Sequence, residues 1–409
     1  MRGRPLLYTS YPEEMRIFPT TTKRVAMLLF LVILILIPLK ALPLVGFLGD
    51  SEWLIIIDRM LIFAIAALGL NLLTGVAGQV SLGHAFFMAV GAYTAAVLGG
   101  EPGGGVWGLE LPIWVWLPAA GLVAALIGIL VAPTAVRVRG LYLAFVTLGL
   151  VFIGGYLWRS LTKIAGGSGT GRGWPPLEFS LWRGEPLVSF AEDGPWFNVE
   201  LISQAKTYYL LLALVILFAL LAKNTMRTRV GRSWASIRDR DIAAEIMGVA
   251  EARGKTQAFA ISSFYAGAAG ALLGSFFVRR LPEYWNLELS VLFIAIVLIG
   301  GAGTISGALM GTVFVVMSPK FVEEFTLWLA GLAEGDGIAA SLADLIVATE
   351  SGDWGVISTS AAGPGLSIFQ LNIVLYGILI VVFLIAEPLG LYGIWIRIRN
   401  YWKAWPFSY

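Results

Sequence analysis

A short segment of polar residues and glycines interrupts one of the most apolar regions of this chain. It reads TGVAGQVSLGH, from Thr74 to His84, and it contains the only histidine of the sequence. Polar groups and irregular backbone at membrane depth are tolerated only where they are buried in protein or line a wet cavity. The segment therefore predicts either a close helix-packing site or the wall of a translocation route. One histidine with no cysteine and no nearby carboxylate predicts no metal site.

The composition places the chain in a membrane. Hydrophobic residues make up 58% of the 409 residues and charged residues 13%, and the mean hydropathy is +0.82. A soluble domain is about a quarter charged. The net charge of +2 is too small to indicate a nucleic-acid partner, and the lack of cysteine excludes disulfides and cysteine catalysis.

Apolar stretches of about 20 residues, the length that crosses a bilayer, predict an all-α polytopic membrane protein with about ten transmembrane helices. The stretches show no alternation of the kind that a membrane β-barrel requires. The first stretch could also be a signal peptide, but it is long for one and lacks a small-x-small cleavage site, so we interpret it as a span. The predicted spans lie near residues 25–45, 54–73, 80–99, 112–132, 141–158, 207–222, 257–278, 288–300, 304–318 and 368–387.

The distribution of charge predicts the orientation of these spans. With a cytoplasmic N-terminus, most of the 28 lysines and arginines lie on the cytoplasmic side, as the positive-inside rule requires. The prediction divides the chain into a cytoplasmic tail, a transmembrane domain and a second cytoplasmic tail, at residues 1–24, 25–387 and 388–409. The domain then has two long extracytoplasmic loops and one cytoplasmic loop, at residues 159–206, 319–367 and 223–256. Asp58 and Arg59 are expected at the outer interface.

The cytoplasmic loop is charged but patterned. Ile242, Ile246 and Val249 recur at i, i+4 and i+7, which predicts one apolar face of a helix. Asp241 lies near the start of this helix, where it favours the helix dipole, and Gly248 is a candidate for its end. Such a face can lie on the bilayer, dock on another protein or pack under its own bundle; the acidic residues weaken the bilayer alternative.

No nucleotide or cofactor site is predicted in this chain. Residues 254–256 read GKT, but a phosphate-binding loop would need a glycine where Val249 stands and a strand before it. Any ATP with its Mg²⁺ would therefore be bound by a partner.

Several segments together resemble the permease subunits of branched-chain amino acid importers of the ATP-binding-cassette class, most closely the M-type permease. They are NLLTGVAGQVSLGHAFFMAVGAYTAA (71–96), RGLYLAFVTLGL (139–150), GRSWASIRDRDIAAEIMGV (231–249), FAISSFYAGAAGAL (259–272) and GGAGTISGALMG (300–311). The segment at 319–367 is longer than is usual for that family.

The resemblance implies the bundle of such a permease in a bacterial or archaeal cytoplasmic membrane. It implies that the chain is not an enzyme and works with a second permease of H-type, two cytoplasmic ATPases and an extracytoplasmic binding protein. It also implies that residues 231–248 dock on an ATPase. The residues assigned to this coupling segment are Gly231, Arg232, Arg238, Asp241, Ile242, Ala244, Glu245, Ile246 and Gly248.

The candidates for the translocation path or its hinge come from two glycine-rich segments with similar text, GVAGQVSLG from Gly75 and GGAGTISGA from Gly300. The similarity suggests a parallel internal repeat, of a kind common in transporters, or chance. His84 can be a pore residue or a histidine satisfied between helices, and the second interpretation is favoured. The candidates are Asn71, Gly75, Gly78, Gln79, Ser81, Gly83, His84, Gly300, Gly303 and Ser306.

The alternatives to an amino acid importer are a urea or amide importer of the same class and a stand-alone secondary carrier or channel. A carrier would usually need ionisable groups inside the membrane, and a channel would need no docking loop.

Overall fold

A computed structural model describes residues 21–404 with gaps at 41–45, 139, 168–170, 181–186, 191, 197–198, 277–278, 281, 334–346, 349–356, 359–365 and 388. Most of the predicted N-terminal tail and most of the segment from 334 to 365 lie outside these residues.

The described chain is an all-α bundle with small two- and three-stranded sheets. The α-helices are α1 Thr21–Leu36, α2 Ser51–Leu70, α3 His84–Gly99, α4 Ile113–Arg137, α5 Leu141–Ser160, α6 Thr162–Ala165, α7 Ser203–Arg227, α8 Arg229–Ile246, α9 Glu251–Phe276, α10 Leu287–Gly300, α11 Ile305–Ala333, α12 Ile368–Ala386 and α13 Gly390–Ala404. A π-helix, Asn71–Val76, continues α2, and 3₁₀ turns lie at Gly46–Gly49 and Pro282–Tyr284.

Short antiparallel pairs and one parallel sheet connect the helices. The strands are β1 Arg172–Gly173, β2 Glu178–Phe179, β3 Val188–Ser189, β4 Gly194–Trp196, β5 Val199–Leu201, β6 Arg279–Arg280, β7 Val347–Ala348, β8 Ile357–Ser358 and β9 Leu366–Ser367. The antiparallel pairs are β1–β6, β2–β3 and β4–β5, and β7, β8 and β9 pair in parallel.

Seven helical segments of the described chain are long and apolar enough to cross a membrane: Ser51–Val76, Ile113–Arg137, Tyr142–Ser160, Ser203–Arg227, Glu251–Phe276, Pro282–Gly300 and Ile305–Leu332. They coincide with seven of the ten predicted spans, and the class of polytopic α-helical membrane protein is confirmed. The first and third predicted spans coincide with the shorter apolar helices Arg24–Leu36 and His84–Gly99, and the tenth coincides with α12.

Helix α9 occupies the centre of the bundle and packs against α2, α3 and α4. Small residues allow its close approach to α3, because a Cβ on Gly91 would overlap the backbone of Gly267, and one on Gly270 would overlap the carbonyl of Met88. Apolar burial cannot draw helices together in lipid, so close packing at small residues does so instead.

Helix α11 is longer than the sequence predicted. A loop was expected from residue 319, but the helix passes through Pro319 and ends at Ala333. Lys320 lies within 4 Å of Glu323 and Glu324, one turn further on. Charges that mark the end of an apolar run therefore stabilise a continuing helix here.

Arg172 holds together the end of the bundle opposite to the coupling segment. Its side chain, 2% exposed, donates hydrogen bonds to the carbonyls of Ala96 (2.6 Å), Ile164 (2.7 Å) and Trp107 (2.8 Å). Burial lowers the pKa of this guanidinium below its usual value, although an arginine remains protonated at neutral pH. The five N–H donors of arginine suit this set of separate acceptors.

Candidate functional site

The polar segment breaks the path of the chain between α2 and α3. The π-helix ends at Val76, residues 77–83 are not helical, and α3 begins at His84 rather than near residue 80 as predicted. Gly78 has a φ of +69°, a left-handed conformation that glycine adopts without a steric penalty. The polar segment is therefore a true interruption of the helix, as its composition indicated.

Asn71 joins this interruption to the second glycine-rich segment. Its side-chain oxygen accepts a hydrogen bond from the backbone N–H of Gly303 (2.7 Å), and its amide nitrogen donates to the carbonyl of Thr304 (3.0 Å). The side chain is fully buried. We call residues 71–78 and 300–304, held together by Asn71, the glycine junction.

The two backbones of the glycine junction touch at Gly75. A Cβ on this residue would overlap the backbone nitrogen of Gly303. Gly300 is equally close-packed, since a Cβ there would overlap the carbonyl of Gly307 in the first turn of α11. The contact between the two segments thus depends on glycine at position 75, and the packing of residue 300 against α11 depends on glycine at position 300.

The predicted repeat has a partial structural counterpart. Gly78 and Gly303, which the sequence aligns, both have left-handed backbone, at φ of +69° and +83°. Ser81 and Ser306, aligned as well, differ: Ser81 is buried and Ser306 is exposed in the first turn of α11. The two segments follow α2 and α10, and they meet at the same end of the bundle.

Arg238 links the glycine junction to the coupling segment. Its Nη1 donates a hydrogen bond to the carbonyl of Gly75 (3.0 Å), and its Cγ lies 2.5 Å from the position of a Cβ on Gly78. Its Nε and Nη2 both lie 3.1 Å from Asp239, which holds the guanidinium in place. The family resemblance implied that Arg238 docks on an ATPase, and nothing in the sequence predicted its hydrogen bond to Gly75.

The coupling segment consists of two helical pieces within α8. The backbone leaves the helical conformation at Arg240, with φ −156° and ψ 99°. The first piece packs on the bundle through Trp234, whose indole donates to the carbonyl of Gly254 (3.0 Å), and through Ile237. The kink allows the second piece to project from the bundle.

The second piece presents an uncovered apolar surface. Ile242, Ile246 and Met247 are 61%, 80% and 83% exposed. Asp241 accepts a hydrogen bond from the N–H of Ile242 at its start, and Gly248 follows its end with a φ of +86°. The start at Asp241 and the end before Gly248 agree with the sequence prediction, whereas Val249, predicted on the same apolar face, lies beyond the end of the helix at Ile246.

The other residues assigned to the coupling segment have different positions. Gly231 is buried against Met226 at the turn from α7 into α8, and Ala244 is buried on the inner face of the second piece. Arg232 is exposed and donates to the carbonyl of Arg227, and Glu245 is exposed. Gly231 and Ala244 therefore pack the coupling segment against its own chain and are not available to contact an ATPase.

Comparison with known proteins places this architecture in a family. Residues 54–349 match the model of the branched-chain amino acid transport system permease component. The chain belongs to this family. It is 33% identical over 286 residues to the high-affinity branched-chain amino acid transport permease LivM of Salmonella typhimurium and to that of Escherichia coli. The alignments cover 66% of this chain and 65% of each relative, so the chain spans just under two thirds of their length. No solved structure matches.

The match to this family includes the glycine junction and the whole coupling segment. Between them lies a cavity of about 210 Å³. Its polar lining comes from the broken helix and the coupling segment, and its apolar lining includes Val80, Leu143 and Ile237. Lys255 borders it, buried in an ion pair with Glu251 (2.6 Å).

The remaining path candidates form hydrogen bonds within the bundle. Gln79, which also lines the cavity, donates to the carbonyl of Ala77, and Ser81 accepts from the N–H of Gly83. His84, 2% exposed, lies 3.0 Å from the carbonyl of Ala66 in α2.

Two hydroxyl groups support this turn from other helices. Thr147 in α5 accepts from the N–H of Leu82 (2.9 Å), and Ser290 in α10 accepts from the N–H of Ala85 (3.0 Å). The sequence analysis missed both hydroxyls. A single serine or threonine in an apolar run does not show which distant backbone N–H it binds.

Asp58 is another residue that the sequence analysis misplaced. It was expected at the outer interface, but it is fully buried in α2, and neither carboxylate oxygen has a partner among the described residues. An ionisable residue inside a membrane segment is by default a candidate for function.

Proposed function

We propose that this chain is a non-catalytic permease subunit of an ATP-driven importer for branched-chain amino acids. The observation that carries the proposal is the continuous path from the exposed apolar face of Ile242 and Ile246, through Arg238, to the broken helix at Gly75. An exposed apolar helix on a transporter suits docking in a groove of a second protein. The curated relatives, named as permeases of branched-chain amino acid transport, support the same assignment.

The partners that we propose are a second permease, two cytoplasmic ATPases and an extracytoplasmic binding protein. Nucleotide chemistry would belong to the ATPases, and this chain would supply no group to hydrolysis. A conformational change in one protein shifts another only through differential contacts, and the docking helix supplies such contacts. The excess of lysine and arginine in the loops of one side supports a cytoplasmic location for the coupling segment.

In this proposal, the glycine junction is the element that changes conformation during transport. Movement of the docking helix pulls on Arg238, which bonds the last turn of the π-helix at Gly75. At the π-helix and the left-handed glycines, the backbone dihedral angles can change so that the helix alters its direction. Such π-bulges occur often at functional sites. The cavity at the coupling segment would then be the inner end of the amino acid route.

Reconstitution tests the proposal. The chain is placed in proteoliposomes with its partner subunits, and uptake of radiolabelled leucine, isoleucine, valine and urea is measured with the binding protein outside. We expect uptake of the three amino acids that requires ATP and stops when the ATPases are omitted. Uptake of urea alone would assign the chain to an amide importer instead.

Asp58 favours a secondary carrier, because such carriers bind protons or ions at buried carboxyl groups. Uptake by this chain alone, driven by a proton or sodium gradient and lost in Asp58→Asn, would establish the carrier. ATP-dependent uptake that persists in Asp58→Asn would exclude that role.

A further inference from the structure

The C-terminal helix α13 carries an uncovered apolar face that the proposed transport mechanism does not use. Its members recur at i, i+1, i+4, i+7 and i+8, which is one side of a helix. They are Ile394, Trp395, Ile398, Tyr401 and Trp402, and they are between 39% and 72% exposed.

Basic residues border this face. At about 100° per residue, Arg397 and Arg399 fall on its two flanks. Lys403 is the third basic residue of α13, and the sequence from Gly390 to Ala404 contains no acidic residue. A helix with aromatic and aliphatic residues on one side and arginines at its flanks is typical of one that lies in the plane of a bilayer interface.

The position of α13 in the fold suits this interface. It follows α12, a 19-residue apolar helix, after three residues. A helix of that length spans about 28 Å, close to the hydrocarbon thickness of a bilayer. Glu387, at the end of α12, pairs with Arg397 at 2.5 Å and fixes the turn between the two helices. The start of α13 therefore lies where the chain leaves the membrane.

The start of α13 packs against the glycine junction. Gly390, with a φ of +61°, is packed so closely that a Cβ there would lie 2.5 Å from the carbonyl of Ile299 and 2.7 Å from the nitrogen of Gly301. A Cβ on Gly301 would overlap the carbonyl of Leu389 and lie 3.1 Å from the Cβ of Tyr392. Helix α13 also packs on α10 and α11, the two helices that flank this part of the junction.

We propose that α13 is a docking surface for an anionic bilayer and that this contact holds residues 300–304 of the glycine junction in place. The apolar face enters the acyl boundary, and the basic residues meet the lipid headgroups. Each lysine or arginine near an anionic surface contributes about a fivefold preference for it. The lipid contact does not depend on the proposed transport function.

A labelling experiment tests the contact. The chain has no cysteine, so a single Ile398→Cys carries one environment-sensitive fluorophore on the apolar face, and Asn400→Cys carries the matched label on the opposite side. Full-length protein is reconstituted in vesicles that contain a lipid-borne quencher, either with neutral lipid alone or with about a third phosphatidylglycerol. We expect strong quenching at 398 that increases with anionic lipid, and weak quenching at 400.

The single variant Arg399→Gln separates charge from burial, because it leaves the ion pair between Glu387 and Arg397 in place. Its increase with anionic lipid should be about fivefold smaller in the inserted population, whereas the control Arg253→Gln, at an exposed position in the first turn of α9, should keep the full increase. Equal quenching at 398 and 400, or quenching at 398 with no response to anionic lipid, would overturn the proposal. A label at 398 that is protected only when the partner subunits are added would assign the face to a protein instead.

Hydrogen exchange tests the connection to the glycine junction independently of transport. The amides of residues 300–304 should exchange more slowly in anionic than in neutral bilayers, and the difference should be smaller in Arg399→Gln. An exchange rate that does not depend on lipid would refute the connection between α13 and the junction.

Discussion

The guanidinium of Arg238 donates a hydrogen bond of 3.0 Å to the carbonyl of Gly75, across 163 positions of sequence. It links the coupling segment, two residues before its kink at Arg240, to the broken helix within the bundle. Since the same side chain packs on Gly78, a displacement of the coupling segment changes the environment of both glycines.

Replacing Arg238 by alanine should uncouple ATP hydrolysis from uptake. The docking face of Ile242 and Ile246 is unchanged, so the ATPases should still bind and hydrolyse ATP. Transport per ATP should fall by about two- to thirtyfold, because residues that couple two sites contribute about 0.5–2 kcal/mol. Both rates are measured in the same proteoliposomes. Arg253→Ala is the matched control, and equal loss in the two variants would argue against a specific link.

Replacing Gly75 by alanine should destabilise the glycine junction. The new Cβ would overlap the backbone nitrogen of Gly303, and such overpacking costs about 1–3 kcal/mol. The melting temperature of the purified protein should fall. Gly149→Ala serves as the control, because a Cβ there meets no atom within 4 Å and alanine favours a helix by about 1 kcal/mol over glycine. A Gly75→Ala protein as stable as wild type would show that the two segments are not in contact.

The double substitution Ile242→Asp/Ile246→Asp should abolish association with the ATPases. Both side chains are mostly exposed, so the fold should keep its stability within about 0.5 kcal/mol. Co-purification with the ATPases in mild detergent gives the readout. Leu187→Asp, at a 63% exposed position at the other end of the bundle, should leave the complex intact. A complex that survives the double substitution would contradict docking through this helix.

Replacing Arg172 by lysine should loosen the end of the bundle that carries the strands. A single ammonium group cannot reach three separate carbonyls, and each buried acceptor left without a partner costs about 1–3 kcal/mol. Thermal unfolding and limited proteolysis of the loops measure the effect. Arg159→Lys is the control, since Arg159 is exposed and its hydrogen bond among the described residues is to the carbonyl of Gly155 in its own helix. Identical melting curves for the two variants would contradict the role of Arg172.

The periodic and compositional features of the chain were predictable. The helical class follows from apolar runs of membrane length, and the broken helix at Gly78 follows from glycines and polar residues in such a run. The amphipathic helix that follows Arg240 is predicted by the spacing of Ile242 and Ile246. Each of these features depends on interactions between residues close in sequence or with the surrounding solvent.

The contacts between distant segments were not predictable. The bond from Arg238 to Gly75 and the caps from Thr147 and Ser290 join groups that are far apart in sequence, and nothing local distinguishes these residues from similar ones. Asp58 was misplaced because distance from a span end does not reveal burial by neighbouring helices. Pro319 and the charges that follow it indicated a helix end, although paired charges can also extend a helix beyond the membrane.

The three carbonyls that Arg172 binds at Ala96, Ile164 and Trp107 all precede it in the chain. A nascent polypeptide therefore contains the complete arginine cluster before α7 has been synthesised, and domains generally fold from the N-terminal side during synthesis. Arg172 can thus hold helices α1 to α5 and the loops between them together at one end while the ribosome is still making the rest. Helix α9, which packs at the centre of the bundle against α2, α3 and α4, would then insert among helices that Arg172 already holds together at one end.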